Sequence, residues 1–518
     1  MAIAIITILL PILPSLLPFI FLLYCMTLFP PKPPKHHKNE LKILPPGPRP
    51  LPLIGNLQLL GILPHQSLYH LAKQYGPIMF LKLGFVETVV VSSAESAELF
   101  LKTHDAAFAN RPKVLISDFL SYGSRGMIFD DYGPYWRNVR KVCTLQLLSS
   151  SKIESFAPLR KQEVELMVAK IKKAAELKEV VDVSGRVGDF SLNLICRMIF
   201  GQPCNDDDSN LRHLIKESLE LVGAINIADY VPYIGALDLQ GLTRRTKAYR
   251  KGMDRVLENI IDSHEKDDRW KTKEQKDFID VLLAIMNNSS PIINSNDDQS
   301  YVIDRTCIKA IIQDIIVGGF ETSASSIEWT FSEILRHPRV MKRLQEELES
   351  AIGLDRMVEE EDLPKLTYLE MVIKESLRLY PTLPLIPRKC VEDITVNGYH
   401  IPSRSRVLVN AWAIGRDSNV WSDNALEFYP ERFEDECVDL RGHHFKLIPF
   451  GSGRRSCPGI NLGLKNIRLV IAQLAHCFNW KLPVGVLPSE VDMTEKYGLT
   501  LPRATHIFAM PTYRLNVK

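Results

Sequence analysis

Apolar residues recur every three or four positions through most of the middle of the chain, which is the spacing of one buried face of an α-helix. Prolines and glycines separate the stretches that show this spacing. The pattern predicts helices over 161–177, 249–266, 304–337, 364–380 and 459–478. The helix over 304–337 is expected to be continuous and to end at Pro338.

Strand signals are few. The segment "DITVNGYHIP", residues 393–402, places Asn397-Gly398 between β-prone arms, and this pair favours a tight hairpin turn. The C-terminal stretch 499–515 is typical of short strands. We therefore expect a fold class that is mainly α with a small β portion.

The chain begins with an apolar stretch, and its first charged residue is Lys32. Because about 20 apolar residues span a bilayer as a helix, we predict a transmembrane anchor over 1–30. A cleaved signal peptide is the alternative, but neither its basic start nor its small-residue cleavage site is evident. The basic residues that follow the anchor predict that the rest of the chain is cytosolic.

A basic and proline-rich segment follows the predicted anchor. It contains "PKPPKHHKNELK" and "LPPGPRPLPLIGN", and its prolines favour a stiff spacer over the alternative of a simple linker. We place this hinge at 31–56 and one catalytic domain at 57–518.

Composition and charge exclude several kinds of protein. The chain has 518 residues and a formal net charge of +2, so we expect no nucleic acid as a partner. Its nine cysteines are an odd number without paired spacing, which fits a reducing compartment better than a disulfide framework. No CxxC pair occurs, which argues against a structural zinc site.

The segment "FGSGRRSCPG", residues 450–459, concentrates candidate chemistry around one cysteine. Cys457 lies just before a predicted helix, where unpaired amides favour a thiolate that acts as a nucleophile, a redox centre or a metal ligand. The glycines permit close approach of a flat group, and Arg455 can pair with a carboxylate of that group. Haem carries such carboxylates, and a cysteine thiolate is the axial ligand in one class of haem enzymes.

These ten residues resemble the haem-binding signature of the cytochrome P-450 superfamily, F-x-x-G-x-R-x-C-x-G. Phe450, Gly453, Arg455, Cys457 and Gly459 occupy its five fixed positions. The resemblance implies the cytochrome P-450 fold, heme b (iron protoporphyrin IX) as the cofactor, and Cys457 as the ligand of its iron. It also implies that Phe450, Arg455 and Gly459 contact the haem.

Two further motifs resemble those that contact the haem propionates in this superfamily. Trp136 and Arg140 match W-x-x-x-R, and Arg388 in "PLIPRKC" matches another arginine that pairs with a propionate. Taken alone, either arginine would be a surface charge. Their occurrence in the order of the superfamily motifs implies that Trp136, Arg140 and Arg388 bind the cofactor.

Glu375 and Arg378 match the E-x-x-R motif of the superfamily, within "KESLRLYP". Taken alone, such a pair would be a surface ion pair worth about 0.2–0.5 kcal/mol. The resemblance implies that the pair joins Arg432 of "PERF" and braces the core near the haem.

The segment "GGFETS", residues 318–323, lies within the longest predicted helix. Each of two glycines in a helix interior costs roughly 0.5–1 kcal/mol relative to alanine, so the helix is expected to bend there. With Glu321 and Thr322 the segment resembles the oxygen-activation motif [AG]-G-x-[DE]-T-[TS]. The resemblance implies that the helix opens locally and that Glu321 and Thr322 are catalytic residues that relay protons.

Nearly the whole chain resembles the plant A-type branch of the superfamily. This implies a haem-thiolate monooxygenase that hydroxylates or otherwise oxidises a lipophilic terpenoid or aromatic compound of plant specialised metabolism. Electrons are then expected from NADPH–cytochrome P-450 reductase, and the protein is expected at the endoplasmic reticulum membrane. The alternatives are a family member that rearranges peroxides or dehydrates its substrate, and a haem-binding sensor or carrier without turnover.

The walls of the substrate pocket are expected from four largely apolar segments. These are residues 115–123, the start of the helix predicted at 304, residues 382–387 and residues 497–502. Their composition favours a lipophilic substrate without identifying it.

Overall fold

The computed structural model describes residues 42–123, 125–204, 209–266, 275–287 and 303–516. In chain order its α-helices are α1 (Pro64–Tyr75), α2 (Ala94–Glu98), α3 (Leu115–Leu120), α4 (Pro134–Val142), α5 (Ser150–Ser155), α6 (Ala157–Leu177), α7 (Val183–Phe200), α8 (Ser209–Gly223), α9 (Leu242–Lys266), α10 (Phe278–Asn287), α11 (Arg305–Gly319), α12 (Glu321–Arg336), α13 (Pro338–Ile352), α14 (Thr367–Leu379), α15 (Ala411–Ile414), α16 (Ser418–Trp421) and α17 (Ile460–Cys477). Its strands are β1 (Ile78–Leu83), β2 (Val86–Val91), β3 (Val181–Asp182), β4 (Leu385–Lys389), β5 (Ile394–Val396), β6 (Tyr399–Ile401), β7 (Arg406–Asn410), β8 (Phe478–Lys481) and β9 (Phe508–Tyr513). Short 3-10 helices include Pro430–Phe433 and Gly453–Arg455.

The structure is mainly helical with small sheets, as the sequence predicts. The segments 161–177, 249–266, 364–380 and 459–478 lie largely within α6, α9, α14 and α17. The predicted hairpin is formed by β5 and β6, and Asn397 and Gly398 at its turn have positive φ angles of 49° and 79°. That conformation is the reason why the turn takes this residue pair.

The described residues form three sheets. The largest has the order β1-β2-β7-β4, in which β7 is parallel to β2 and antiparallel to β4. The second has the order β3-β9-β8, and the third is the β5–β6 hairpin. The core of the body is formed by helices that bury residues on more than one face, above all α12 and α17.

The helix predicted over 304–337 is two helices, so its predicted continuity is wrong. Helix α11 ends at Gly319, Phe320 separates it from α12, and the Phe320 carbonyl accepts a hydrogen bond from the Ser191 hydroxyl at 2.7 Å. A Cβ atom on Gly319 would lie 2.8 Å from the Ile195 side chain. The break therefore depends on packing against α7 as well as on the glycines, and it lies where the sequence predicts a bend.

Residues Leu44–Lys518 form one compact unit. The predicted anchor over 1–30 and the first part of the hinge lie outside the described residues. Within the described part of the hinge, the Pro46 carbonyl accepts a hydrogen bond from the Phe80 amide of β1 at 2.9 Å. None of the described helices is long and apolar enough to cross a bilayer.

Candidate functional site

Cys457 lies in a tight loop between the 3-10 helix Gly453–Arg455 and α17. Its amide donates to the Phe450 carbonyl at 2.9 Å, which closes the loop around the thiol. Gly453 has a φ of +72°, and a Cβ atom there would lie 2.3 Å from the Leu101 carbonyl oxygen, so this position requires glycine. A Cβ atom on Gly459 would lie 4.0 Å from the Cys457 sulfur.

The electrostatics of the thiol differ from the expectation for a helix N-terminus. Burial raises the pKa of Cys457, and the Gly459 amide and the charge of Arg140 offset only part of that effect. Desolvation therefore outweighs the helix N-terminus. A metal ion bound to the sulfur would reverse this balance, because a coordinating thiol is deprotonated.

Arg455 points away from solvent and joins the loop to the segment before α4. Its Nε donates to the Ala109 carbonyl at 2.7 Å, and its guanidinium carbon lies 4.1 Å from the centre of the Trp136 ring. Trp136 Nε1 donates to the Met127 carbonyl at 2.9 Å, and Arg455 donates to the same carbonyl at 3.2 Å. The motif residues of α4 and of the cysteine loop are therefore in direct contact.

Arg140 and Arg388 reach the backbone of the same loop from two other elements. Arg140 on α4 donates to the Ser456 carbonyl at 2.8 Å. Arg388 on β4 is fully buried and donates to the Ser452 carbonyl at 3.3 Å. The structure thus brings Trp136, Arg140 and Arg388 to the cysteine loop.

A fourth arginine, which sequence reasoning missed, completes this cluster. Residues Ala109 and Asn110 bridge to Lys389, so that Arg111 lies next to Arg388. Arg111 donates to the Pro387 carbonyl. The signal that would have found Arg111 is a non-local strand contact, which one sequence does not contain.

The arginine cluster, defined as Arg111, Arg140, Arg388 and Arg455, forms no ion pair with a carboxylate among the described residues, although the charges of Asp105, Asp130 and Asp131 act on two of its members. Burial and the charges of Arg388 and Arg140 lower the pKa of Arg111, and burial with the charges of Arg455 and Arg140 lowers the pKa of Arg388 to about 9. The Nε atoms of Arg111 and Arg388 are buried without a hydrogen-bond partner. Because the charge of a buried cation requires a nearby anion, the cluster fits a ligand that carries two carboxylates, such as haem.

Glu321 and Thr322 begin α12, directly after the helix break. The Thr322 hydroxyl donates to the Gly318 carbonyl at 2.7 Å, within the bend. Thr500 donates to the Glu321 carboxylate, and burial raises the pKa of Glu321. A Cβ atom on Gly318 would meet no atom within 4 Å, so this glycine borders open space.

A buried carboxyl, Asp314, connects α11 to the segment that contacts the arginine cluster. It accepts hydrogen bonds from the amides of Met127 and Ile128, the second at 3.0 Å. Burial raises the pKa of Asp314 to about 7. The Met127 carbonyl accepts from Arg455, so Asp314 is linked through Met127 to the cluster. The helix break at Phe320 lies about one and a half helical turns beyond Asp314.

Glu375, Arg378 and Arg432 form one buried network rather than a surface pair. Arg378 donates to Glu375 at 2.7 and 2.8 Å, and Arg432 donates to Glu375 at 2.8 Å. Arg378 also donates to the carbonyls of Ala425 and Glu427 at 2.6 and 3.0 Å. The network ties α14 to the segment that leads into the 3-10 helix Pro430–Phe433.

An apolar cavity of about 250 Å³ lies next to these elements. Three of the four predicted segments contribute to its wall: 115–123, 382–387 and 497–502. The start of α11 does not line it, so that expectation is wrong. Residues 221–226, at the end of α8 and after it, were missed.

Comparisons with known proteins agree with this site. Residues 45–510 match the Cytochrome P450 family. The chain is 53% identical over 482 residues to cytochrome P450 CYP736A12 of Panax ginseng, covering 93% of this chain and 94% of that protein. It is 39% identical to a flavonoid 3'-monooxygenase of Petunia hybrida, covering 92% and 93%. A zebra fish cytochrome P450 structure with abiraterone aligns with a TM-score of 0.69 at 25% identity, covering 87% of this chain and 100% of that chain. The chain therefore belongs to the cytochrome P450 family of haem-binding monooxygenases.

Proposed function

We propose that this protein oxidises a lipophilic small molecule of plant specialised metabolism, a terpenoid or an aromatic compound, by inserting one oxygen atom. The balanced reaction is RH + O2 + NADPH + H+ giving ROH + H2O + NADP+. One observation carries the proposal: Cys457 and a buried arginine cluster without carboxylate partners converge on one loop. That combination supports a bound haem whose iron Cys457 would ligate.

The residues that would hold haem b are those of the cysteine loop and the cluster. Cys457 Sγ would bind the iron, while Arg111, Arg140 and Arg388 would neutralise the propionates. Arg455 and Trp136 would fix the loop against α4, and Phe450 and Gly459 would border the macrocycle. When bound, the haem supplies the activation of dioxygen by a thiolate-ligated iron.

The proton route is assigned to the helix break. The Thr322 hydroxyl can rotate from the Gly318 carbonyl to a water or to the reacting oxygen, because it is a single O–H donor with two acceptor lone pairs. Glu321 would receive protons from solvent near Lys496, whose charge acts on it, and would pass them to Thr322. Thr500 would hold the Glu321 carboxylate in place.

The partners and location follow from the family. Members of the family require a redox partner, and we propose NADPH–cytochrome P-450 reductase at the endoplasmic reticulum membrane. The predicted anchor over 1–30 supports this location. The aromatic substrate named for the petunia relative supports an aromatic compound here.

A non-oxygenating reaction, such as peroxide rearrangement or dehydration, is less well supported. Such an activity does not need a proton relay, yet the pair Glu321–Thr322 is present and Glu321 is held by Thr500. A sensor or carrier without turnover has no use for the relay either. NADPH-dependent oxygen consumption would separate these alternatives from a monooxygenase.

Difference spectroscopy of the reduced, carbon-monoxide-bound protein tests the ligand assignment. Wild-type microsomes should show the red-shifted Soret band of a thiolate-ligated haem, and Cys457→Ser should lose it. Cys477→Ser is the matched control, because Cys477 is a buried free cysteine at the end of α17. If Cys457→Ser kept the band, the ligand assignment would be wrong. A panel of lipophilic metabolites with NADPH and reductase, scored for oxygenated products, then identifies the substrate.

A further inference from the structure

The wall of the cavity contains three charged side chains: Arg111, Asp229 and Arg406. Arg111 belongs to the arginine cluster, where a haem propionate would balance its charge. Arg406 lies at the start of β7, opposite Thr88 of β2 and Lys389 of β4, and is only 8% exposed. Nothing in the proposed haem site explains why an arginine is buried there.

The protein satisfies the Arg406 guanidinium only in part. One terminal nitrogen donates to the Tyr230 hydroxyl at 2.8 Å, and the guanidinium carbon lies 4.8 Å from the centre of the same ring. The Nε atom is buried without a hydrogen-bond partner. Within the described residues Arg406 forms no ion pair with a carboxylate, so its charge depends on whatever occupies the cavity.

Asp229 is the anionic group of the cavity wall, but it is a poor partner for Arg406. Its carboxylate accepts a hydrogen bond from the Leu115 amide at 2.7 Å. Burial raises the pKa of Asp229, and the Leu115 amide and the charge of Arg406 offset only part of that effect. Among the described residues Asp229 forms no ion pair with Arg406, so the guanidinium still has no carboxylate partner.

A buried guanidinium without a carboxylate partner is costly unless a ligand supplies the partner. Its planar set of N–H donors matches a carboxylate, which accepts two parallel hydrogen bonds. The neighbouring Tyr230 hydroxyl is a donor as well as an acceptor, so it can turn toward an anion. The rest of the wall is mainly apolar, as a hydrocarbon or aromatic body requires.

We propose that Arg406 and Tyr230 bind a carboxylate of the substrate, so that the substrate class is a lipophilic carboxylic acid. The apolar part of the acid contacts apolar wall residues such as Leu385 and Phe129 and extends toward Arg111, the member of the arginine cluster that also lines the cavity. This inference rests on the proposed function, because it names the substrate class of the same site. It places the acid group at β7 and the carbon to be oxidised toward the haem.

Binding of paired probes to the haem-loaded full-length protein tests this assignment without turnover. The probes are cinnamic, lauric and abietic acid, each beside its methyl ester, at pH 7.5, where the acids are ionised. Binding is followed by the substrate-induced Soret shift and, independently of the haem, by equilibrium dialysis. The variants are Arg406→Leu, Arg406→Gln and Arg406→Lys, with Arg404→Leu as a control that removes an exposed charge two residues away.

Wild type should bind at least one acid more tightly than its ester. Arg406→Leu and Arg406→Gln should weaken acid binding about 10- to 100-fold and leave ester binding nearly unchanged, because hydrogen bonds to charged groups are lost. Arg406→Lys should retain part of the preference, and Arg404→Leu should retain all of it. No acid preference in wild type, or equal losses for acid and ester, would show that Arg406 only packs against Tyr230. A protein that prefers acids in dialysis but lacks the Soret band of a thiolate-ligated haem would refute the proposed function. That result would leave the assignment of Arg406 as the carboxylate-binding residue intact.

Discussion

The hydroxyl of Thr500 offers a sharp test of how the proton route is built. Thr500 is 1% exposed and donates to the Glu321 carboxylate. Thr500→Val removes the hydroxyl but keeps the shape of the side chain. The adjacent backbone stays tied to the body, since the Leu501 amide donates to the Thr382 carbonyl at 2.9 Å and its carbonyl accepts from Trp329 at 2.7 Å.

The size of the effect follows from that single contact. A hydrogen bond to a charged group contributes about 1.5–3 kcal/mol, which is about a 10- to 100-fold change in the ratio of ionised to neutral carboxyl. The pKa of Glu321 is already raised by burial, and losing the Thr500 donor raises it further. Positioned acid–base groups contribute about 10²–10⁴-fold. Because Thr500 acts through Glu321, we expect product per NADPH to fall about 3- to 10-fold, with hydrogen peroxide making up the difference.

Two readouts separate this role from simple packing. The pH profile of coupling should shift to higher pH in Thr500→Val, because the ionised form of Glu321 appears later. Since a carboxyl with a raised pKa contributes stability that is lost as pH rises through that pKa, the variant's loss of thermal stability should grow with pH. Ser325→Ala is the control, because Ser325 donates to the Leu501 carbonyl at 3.1 Å without touching Glu321. Equal coupling losses in both variants, or none in Thr500→Val, would refute the reasoning.

Three further outcomes are expected. Thr322→Ala should keep the carbon-monoxide spectrum and substrate binding while peroxide per NADPH rises; lower stability with unchanged coupling would make Thr322 a packing residue. Arg378→Met leaves the buried Glu375 without its main partner, at a cost of about 3–5 kcal/mol, so most of the haem-loaded protein should be lost. Lys342→Met is the control, because it breaks only an exposed ion pair with Glu346 and should not change haem content. A normal haem content in Arg378→Met would contradict this prediction. Deleting residues 1–31 should weaken membrane attachment in fractionation and keep the haem spectrum; a folded full-length protein found entirely in the soluble fraction would contradict the anchor.

Periodicity located α6 and α9 because each has one buried face. It failed over 304–337 because α11 and α12 are buried on several faces, so the apolar pattern continues through the break. The break is also stabilised from outside, by the Ser191 hydroxyl of α7. A residue 129 positions earlier in the chain cannot be connected to Phe320 by local spacing.

The motifs revealed the site residues that carry a family signature, including Arg388 on β4, and left out those whose only signal is a contact with a distant part of the chain. Cys457 and Arg455 are within one loop, and Glu321 and Thr322 are neighbours on α12. Arg111 reaches the same site only because Asn110 pairs with Lys389. Thr500 reaches Glu321 from a C-terminal segment that the pattern predicts as a plain strand region.

Family motifs do not distinguish the buried arginines that we propose to bind an anionic ligand from those that only stabilise the fold. The presence or absence of a carboxylate partner does distinguish them. Arg378 is as deeply buried as Arg388, but Arg378 is ion-paired with a carboxylate, Glu375, whereas Arg388 donates only to carbonyls among the described residues. The charges of Arg455 and Arg140 act on Arg388 and are opposed only in part by Asp105, so the cluster fits a dianion such as the two haem propionates would provide. Among the described residues Arg406 donates only to Tyr230, and it belongs to the cavity wall and not to the arginine cluster. The same physical requirement that supports a haem at the cluster therefore supports a single carboxylate at Arg406, and one anion there is enough to balance it.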